Sequence, residues 1–241
     1  MPRSPECSRS FVSSLQEHFN TDSLSDVVIV CDGDTTKAHR VILATHSPYF
    51  AKALTGNWAE SSSNKIEIKD FDSSVVEAML RFMYFFDYNN DSGISSMLYD
   101  AQVYQAADKY DIPALKKHAR QKFKSAISTG WSLDDFPGAI TAAYDSTPPT
   151  DRGLRDLIVA TSCEHMKELL ENGLFRELLR KIPDFAADLI PSLCENISLS
   201  VQQRYKCPSC EHTFSADFSK GNHHCPHCSS GRSKWKSYQV N

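Results

Sequence analysis

SDVVIVCDGDTTKAHRVILATH, residues 25–46, commits the chain to strand, turn, strand and helix. Val27, Val28, Ile29 and Val30 form a continuous β-branched run, which predicts a strand covered on both faces. Asp32-Gly33-Asp34 follows with turn chemistry, and the return from Thr35 to His39 closes a hairpin. Arg40-Val41-Ile42-Leu43-Ala44 is too short for a long helix and reads as a buried connector. Ser47-Pro48 then sets a capping side chain ahead of a proline at the first helical position, which opens a helix over 48–54.

Downstream, Lys65-Ile66-Glu67-Ile68-Lys69 alternates strictly, as a strand with one wet face does. Asp72 is placed to cap a helix whose buried stripe is Val75, Val76, Met79, Leu80, Phe82 and Met83. After a polar loop at 89–93, a helix over 95–110 sets Leu98, Ala101, Tyr104 and Ala107 along one face. Ile112-Pro113 starts another, carrying Leu115, Ala119, Phe123 and Ile127. Upstream, Phe11, Val12, Leu15 and Phe19 make a helical stripe that ends near Asn20-Thr21-Asp22. Strands early and helices late give an α+β domain with a small sheet flanked by helices.

Ser128-Thr129-Gly130 is the first boundary after that domain. Beyond it the spacing is helical: Phe136, Ile140 and Tyr144 precede the turn Ser146-Thr147-Pro148-Pro149. Asp151 can cap the next helix, and Gly173 and Pro183 punctuate two more. The organisation read from the sequence is an N-terminal helical segment (1–24), an α+β domain (25–127), a helical extension (128–200) and a cysteine-bearing tail (201–241).

Hydrophobic residues at 41% and charged residues at 23% are ordinary for a globular chain. No run approaches the about 18 apolar residues of a membrane span, and the first ten residues lack the apolar core of a secretory signal. An intracellular place, cytoplasm or nucleus, is expected. The net charge of -4 is uneven: from Arg204 onward six basic residues stand against two acidic ones. That tail is either a solvated basic surface or one that attracts polyanions.

Cys7, Cys31, Cys163 and Cys194 are scattered, whereas Cys207-Pro208-Ser209-Cys210 and Cys225-Pro226-His227-Cys228 form two C-P-x-C knuckles separated by 14 residues. Four thiolates from two such turns suit the closed tetrahedral shell of structural zinc, with redox or iron chemistry as the alternatives. His212, His223, His224 and His227 stand nearby, but four cysteines already fill a shell. Phe214, Phe218, Trp235 and Tyr238 are read either as a miniature core over the metal or as an aromatic face that stacks nucleotides.

Ser25-Asp26-Val27, Ala38-His39-Arg40 with the apolar run behind it, and Ser47-Pro48-Tyr49-Phe50 resemble the BTB/POZ signature. The likeness continues through Gly56-Asn57-Trp58-Ala59-Glu60-Ser61 to Ala106-Ala107-Asp108-Lys109-Tyr110, about half the chain, and is nearest to BTB proteins common in fungi. The extension is similar in place to a truncated BACK or three-box region, and the tail resembles a zinc ribbon. The resemblance implies a non-enzymatic interaction protein. It would be a homodimer or an adaptor for a cullin-type ubiquitin ligase, or else a transcription or chromatin regulator whose tail binds nucleic acid or protein. It also implies partner-binding roles for Trp58 and Glu60, which match a hydrophobic-x-Glu triplet of cullin-binding members, and for Asp26, His39 and Arg40, which the family places near the dimer groove. Read from the residues alone, those last three supply a buried Asp-Arg or Asp-His contact that fixes the domain. No phosphate-binding glycine loop, nucleophile elbow or H-x-E motif stands in the chain.

Overall fold

The structure is a computed structural model that describes residues 5–55, 64–199, 203–216, 224–231 and 235–240. It divides into two units, 1–189 and 190–241. In the first, β1 (Val27–Cys31) and β2 (Asp34–Ala38) are antiparallel, with Val27 opposite Ala38 and Cys31 opposite Asp34. Asp32 and Gly33 have φ of 50° and 90°, the left-handed pair that a two-residue hairpin turn demands. β3 (Lys65–Ile68) runs parallel to β1 on its other side, giving the order β2-β1-β3. Ile66 and Ile68 point inward and Lys65 and Glu67 outward, as the alternation predicts. β1 buries Val27, Ile29 and Cys31 but leaves Val28 and Val30 half-buried, so its second face is only partly covered.

The segment after the hairpin departs from expectation. It is a seven-residue helix, α2 (Arg40–His46), in which Leu43 is buried while Val41 is 68% exposed. Consecutive apolar residues in a helix point to different sides, so a helical backbone cannot bury them all against one neighbour. Ser47 then caps α3 (Pro48–Thr55): its Oγ accepts the Phe50 N–H at 3.0 Å and donates to the Tyr110 carbonyl at 2.5 Å. One hydroxyl thereby starts a helix and ties it to a segment 63 residues away.

α1 (Pro5–Gln16) begins and ends earlier than the apolar stripe implies, and the side chain of Phe11 lies outside the described residues. α4 (Ser73–Phe85) buries Ala78 and Tyr84 as well as its predicted stripe. Asp72 occupies its N-cap position, but the bonds to the Val75 and Val76 N–H groups come from the Asp72 backbone carbonyl and not from the carboxylate. α5 (Ser96–Lys109) is buried on more than the predicted face, taking in Met97, Tyr99, Asp100 and Val103. α6 (Pro113–Thr129) buries Leu115, Ala119 and Phe123.

Asp100 is a buried carboxyl that accepts the Tyr88 hydroxyl at 2.7 Å. Desolvation raises its pKa from 3.8 to about 6, more than the Tyr88 hydrogen bond lowers it. A carboxyl raised in the folded state contributes stability that is full below pH 3.8 and is lost as the pH climbs through about 6. Asp100→Asn keeps an acceptor for Tyr88 without the ionisation. Its unfolding free energy should therefore lack that fall, and at neutral pH it should exceed the wild type by an amount on the order of 2 kcal/mol. Urea unfolding at pH 4 and pH 7 measures the difference, and parallel pH profiles for the two proteins would refute it.

The helical region follows the predicted spacing. α7 (Phe136–Ser146) buries Phe136, Ile140 and Tyr144, and α8 (Arg152–Glu164), α9 (Met166–Glu171), α10 (Gly173–Lys181) and α11 (Pro183–Leu199) complete it. Asp151 caps α8 as expected, accepting the Gly153 N–H at 2.9 Å. It also accepts the Tyr104 hydroxyl at 2.7 Å and pairs with Lys116 at 2.6 Å, which links α8 to α5 and α6. Gly153 is required there, since a Cβ would stand 2.0 Å from the Tyr104 oxygen. Arg155 is buried, with its guanidinium 4.3 Å from the Tyr144 ring centroid. It donates to the Thr147 carbonyl at 2.5 Å and hydroxyl at 3.2 Å and faces Asp184 and Asp188. These partners satisfy a charge that would otherwise be costly to bury.

In the second unit β4 (Gln203–Lys206) pairs antiparallel with β5 (Thr213–Ala216) on one side and β6 (Gln239–Val240) on the other. A 3-10 turn, Trp235–Tyr238, leads into β6.

Candidate metal centre and partner surface

The two knuckles are built alike. In the first, the Cys207 N–H donates to the His212 carbonyl and the Cys207 carbonyl accepts the Glu211 N–H. In the second, Cys225 makes the same pair of bonds with Ser230 and Ser229. Glu211 and Ser229 follow the second cysteine of each knuckle and turn the chain back with φ of 55° and 56°. Each knuckle thus holds two thiols on the inside of a tight turn.

The four sulfurs of Cys207, Cys210, Cys225 and Cys228 lie within 4.8 Å of one another. Cys207 and Cys228 are 3.7 Å apart, and Cys210 and Cys225 are 3.8 Å apart. Zinc bound to four sulfurs at about 2.3 Å in a tetrahedron would set them about 3.8 Å apart. The donor set fits that ion. Desolvation opposes charge on Cys207, but N–H groups of Cys210 and Ser209 aimed at its sulfur lower the thiol from 9.0 to about 6. Cys210 receives the His212 N–H, yet desolvation and the three neighbouring sulfurs push it up to about 12. Four thiols this close do not all ionise without a cation between them.

Tyr205, Cys207, Cys225 and Trp235 form the buried cluster of this unit, with Phe214 and Tyr238 partly buried against it. The aromatic residues named from the sequence therefore lie over the cysteine knuckles, and Phe218 lies outside the described residues. His212 and His227, one from each knuckle, stack at 4.6 Å on the exposed side. His224 bridges to Gly231, where a Cβ would sit 2.9 Å from its ring, and His223 is outside the described residues.

In the first unit, the Asp26 carboxylate accepts the backbone N–H of Arg40 at 2.7 Å, in an exposed position and not in a buried ion pair. It holds the first residue of α2 beside the entry to β1. The Arg40 guanidinium reaches the Asn64 side chain at 2.9 Å and the Leu54 carbonyl. His39 is buried and turns the other way. Its Nε2 lies 3.0 Å from the Ser23 carbonyl, which can only accept, so Nε2 carries the proton. Nδ1 then accepts the Tyr84 hydroxyl at 2.7 Å, while the Tyr84 oxygen accepts the His39 backbone N–H at 3.1 Å. Burial raises Tyr84 to about 12, which keeps it a hydroxyl donor. Tyr84 is the member of this arrangement that the sequence did not reveal. Trp58 and Glu60 lie outside the described residues.

The segment that carries this three-stranded sheet and its helices has relatives among known proteins. Residues 15–127 match the family model described as the BTB/POZ domain. Kelch-like protein 3 of Mus musculus is 44% identical over 61 residues, covering 25% of this chain. The match spans about a tenth of that relative, 10% of its length. TD and POZ domain-containing protein 3 of Mus musculus is 27% identical over 179 residues, covering 74% of this chain and 46% of the relative. Among solved structures, the BTB domain of human Gigaxonin is 23% identical, covering 50% of this chain and 94% of that one, with a TM-score of 0.41. Among the described residues no helix is long and apolar enough to cross a membrane.

Proposed function

We propose that the protein is a non-enzymatic adaptor whose BTB/POZ domain self-associates and engages a cullin-type ligase scaffold, while a zinc-bound tail presents a second surface to a client. The observation that carries this reading is a match to the BTB/POZ family over residues 15–127 in the same chain as four cysteine sulfurs that lie within 4.8 Å of one another, two pairs of them at 3.7 and 3.8 Å. A closed shell leaves no open position for substrate or water, which supports a structural metal over a catalytic one. Cys207, Cys210, Cys225 and Cys228 would hold it.

On this reading Trp58 is an apolar anchor and Glu60 a charge that meets a cation on the scaffold. Trp58→Ala combined with Glu60→Ala should abolish co-purification of a cullin and leave the thermal melt and self-association unchanged. Retention of the cullin by the double variant would remove these two residues from the interface. A second reading, a transcription or chromatin regulator, draws on the excess of basic residues after Arg204. Recovery of chromatin factors without a cullin would favour it.

A further inference from the structure

α6 (Pro113–Thr129) carries Lys116, Lys117, Arg120, Lys122 and Lys124 and no acidic residue. The remainder of its unit is acidic: residues 1–189 hold 20 Lys and Arg against 27 Asp and Glu, five of the 20 being on this helix. The helix dipole does not account for the concentration. Cations are favoured in a last turn, where α6 has none, and Lys116 and Lys117 stand toward its N-terminal half.

The charges divide by direction. Those turned toward the domain are paired: Lys116 with Asp108 and Asp151, and Lys122 and His118 with Asp87. Lys117, Arg120, Gln121 and Lys124 are exposed and fall at i, i+3, i+4 and i+7, which is one face of the helix. Among the described residues Lys117 and Lys124 have no ion-pair partner. Arg120 gives its Nε to the Gly153 carbonyl at 2.9 Å, which anchors the side chain and leaves the rest of its fork outward.

We propose that this face docks a short acidic helical segment of a partner protein. The three cations climb the axis in steps of about 4.5 and 6 Å, a total of about 10 Å. Carboxylates one turn apart on a facing helix repeat at about 5.4 Å and meet them in step. Same-side carboxylates of an extended peptide repeat at about 6.6 Å and lose register over the same length. A long polyanion gains few further cations on this unit, whose remainder holds 15 Lys and Arg against 27 Asp and Glu. A short acidic segment needs no more than the three. Gln121, between the cations, supplies a neutral donor and acceptor to the same segment.

The test is fluorescence anisotropy with the full chain and a labelled Ala/Gln-based helical peptide bearing glutamates at i, i+4 and i+7. Wild type should bind it, more weakly as salt rises. Lys117→Glu with Lys124→Glu should weaken binding by about tenfold or more, with the thermal melt unchanged. A scrambled peptide of equal charge should bind as weakly as the variant allows. Lys117→Gln with Lys124→Gln carries the test if charge reversal disturbs the fold. Equal binding by wild type and variant, or equal binding of the scrambled peptide, overturns the proposal. So does a single-stranded DNA oligonucleotide that binds wild type more tightly than the peptide and is lost with the same substitutions.

Discussion

Phe50→Ala should lower the unfolding free energy by roughly 3–5 kcal/mol, a large share of the about 5–15 kcal/mol of a typical domain. Phe50 is fully buried on α3 and stacks on Tyr110 with ring centroids 5.3 Å apart and planes 4° from parallel. The neighbouring hydroxyl of Ser47 fixes both ends of this contact, since it caps the helix bearing Phe50 and bonds the Tyr110 carbonyl. Removal of the ring therefore leaves a cavity whose walls are held apart and collapse poorly. Tyr49→Ala, one residue earlier and 45% exposed, is the comparison and should cost clearly less. Urea unfolding of the two variants decides. A Phe50→Ala midpoint equal to the wild type would mean that the short helix does not pack as described.

Removal of the metal should have the other large effect, and a local one. Among the described residues of the second unit four are buried in its cluster, two of them cysteines, which is too little apolar area to order it without a cross-link. The purified chain should contain about one zinc. A chelator, or Cys225→Ser, should open the cysteine-bearing tail to proteolysis while the first unit retains its melting transition. Absence of zinc by elemental analysis, or a tail equally protected with chelator, would overturn the assignment.

The parts of this architecture written in the sequence are the local ones. Asp32-Gly33 specifies its hairpin because few residues accept two positive φ values in succession, and each C-P-x-C knuckle closes within a handful of residues. Ser47 and Asp151 are legible as caps for the same reason. Contacts that join distant segments were not legible. Nothing in the spacing around His39 points to Tyr84, 45 residues on, and nothing around Arg155 points to Asp188. Periodicity tells that a helix has a buried side but not which partner covers it. Apolar content is no surer a guide at residues 40–44, where the backbone winds into a helix that leaves Val41 in solvent. Asp72 has the residue type and place of a cap, yet its backbone supplies the bonds, a choice of rotamer that sequence does not carry.

On the proposed reading this chain binds a cullin-type scaffold directly. Sedimentation of the purified full chain with the purified N-terminal region of a cullin tests it without other partners. A complex should persist at micromolar concentrations and disappear with Trp58→Ala and Glu60→Ala. Two components that sediment independently, with the chain folded and zinc-loaded, would contradict it.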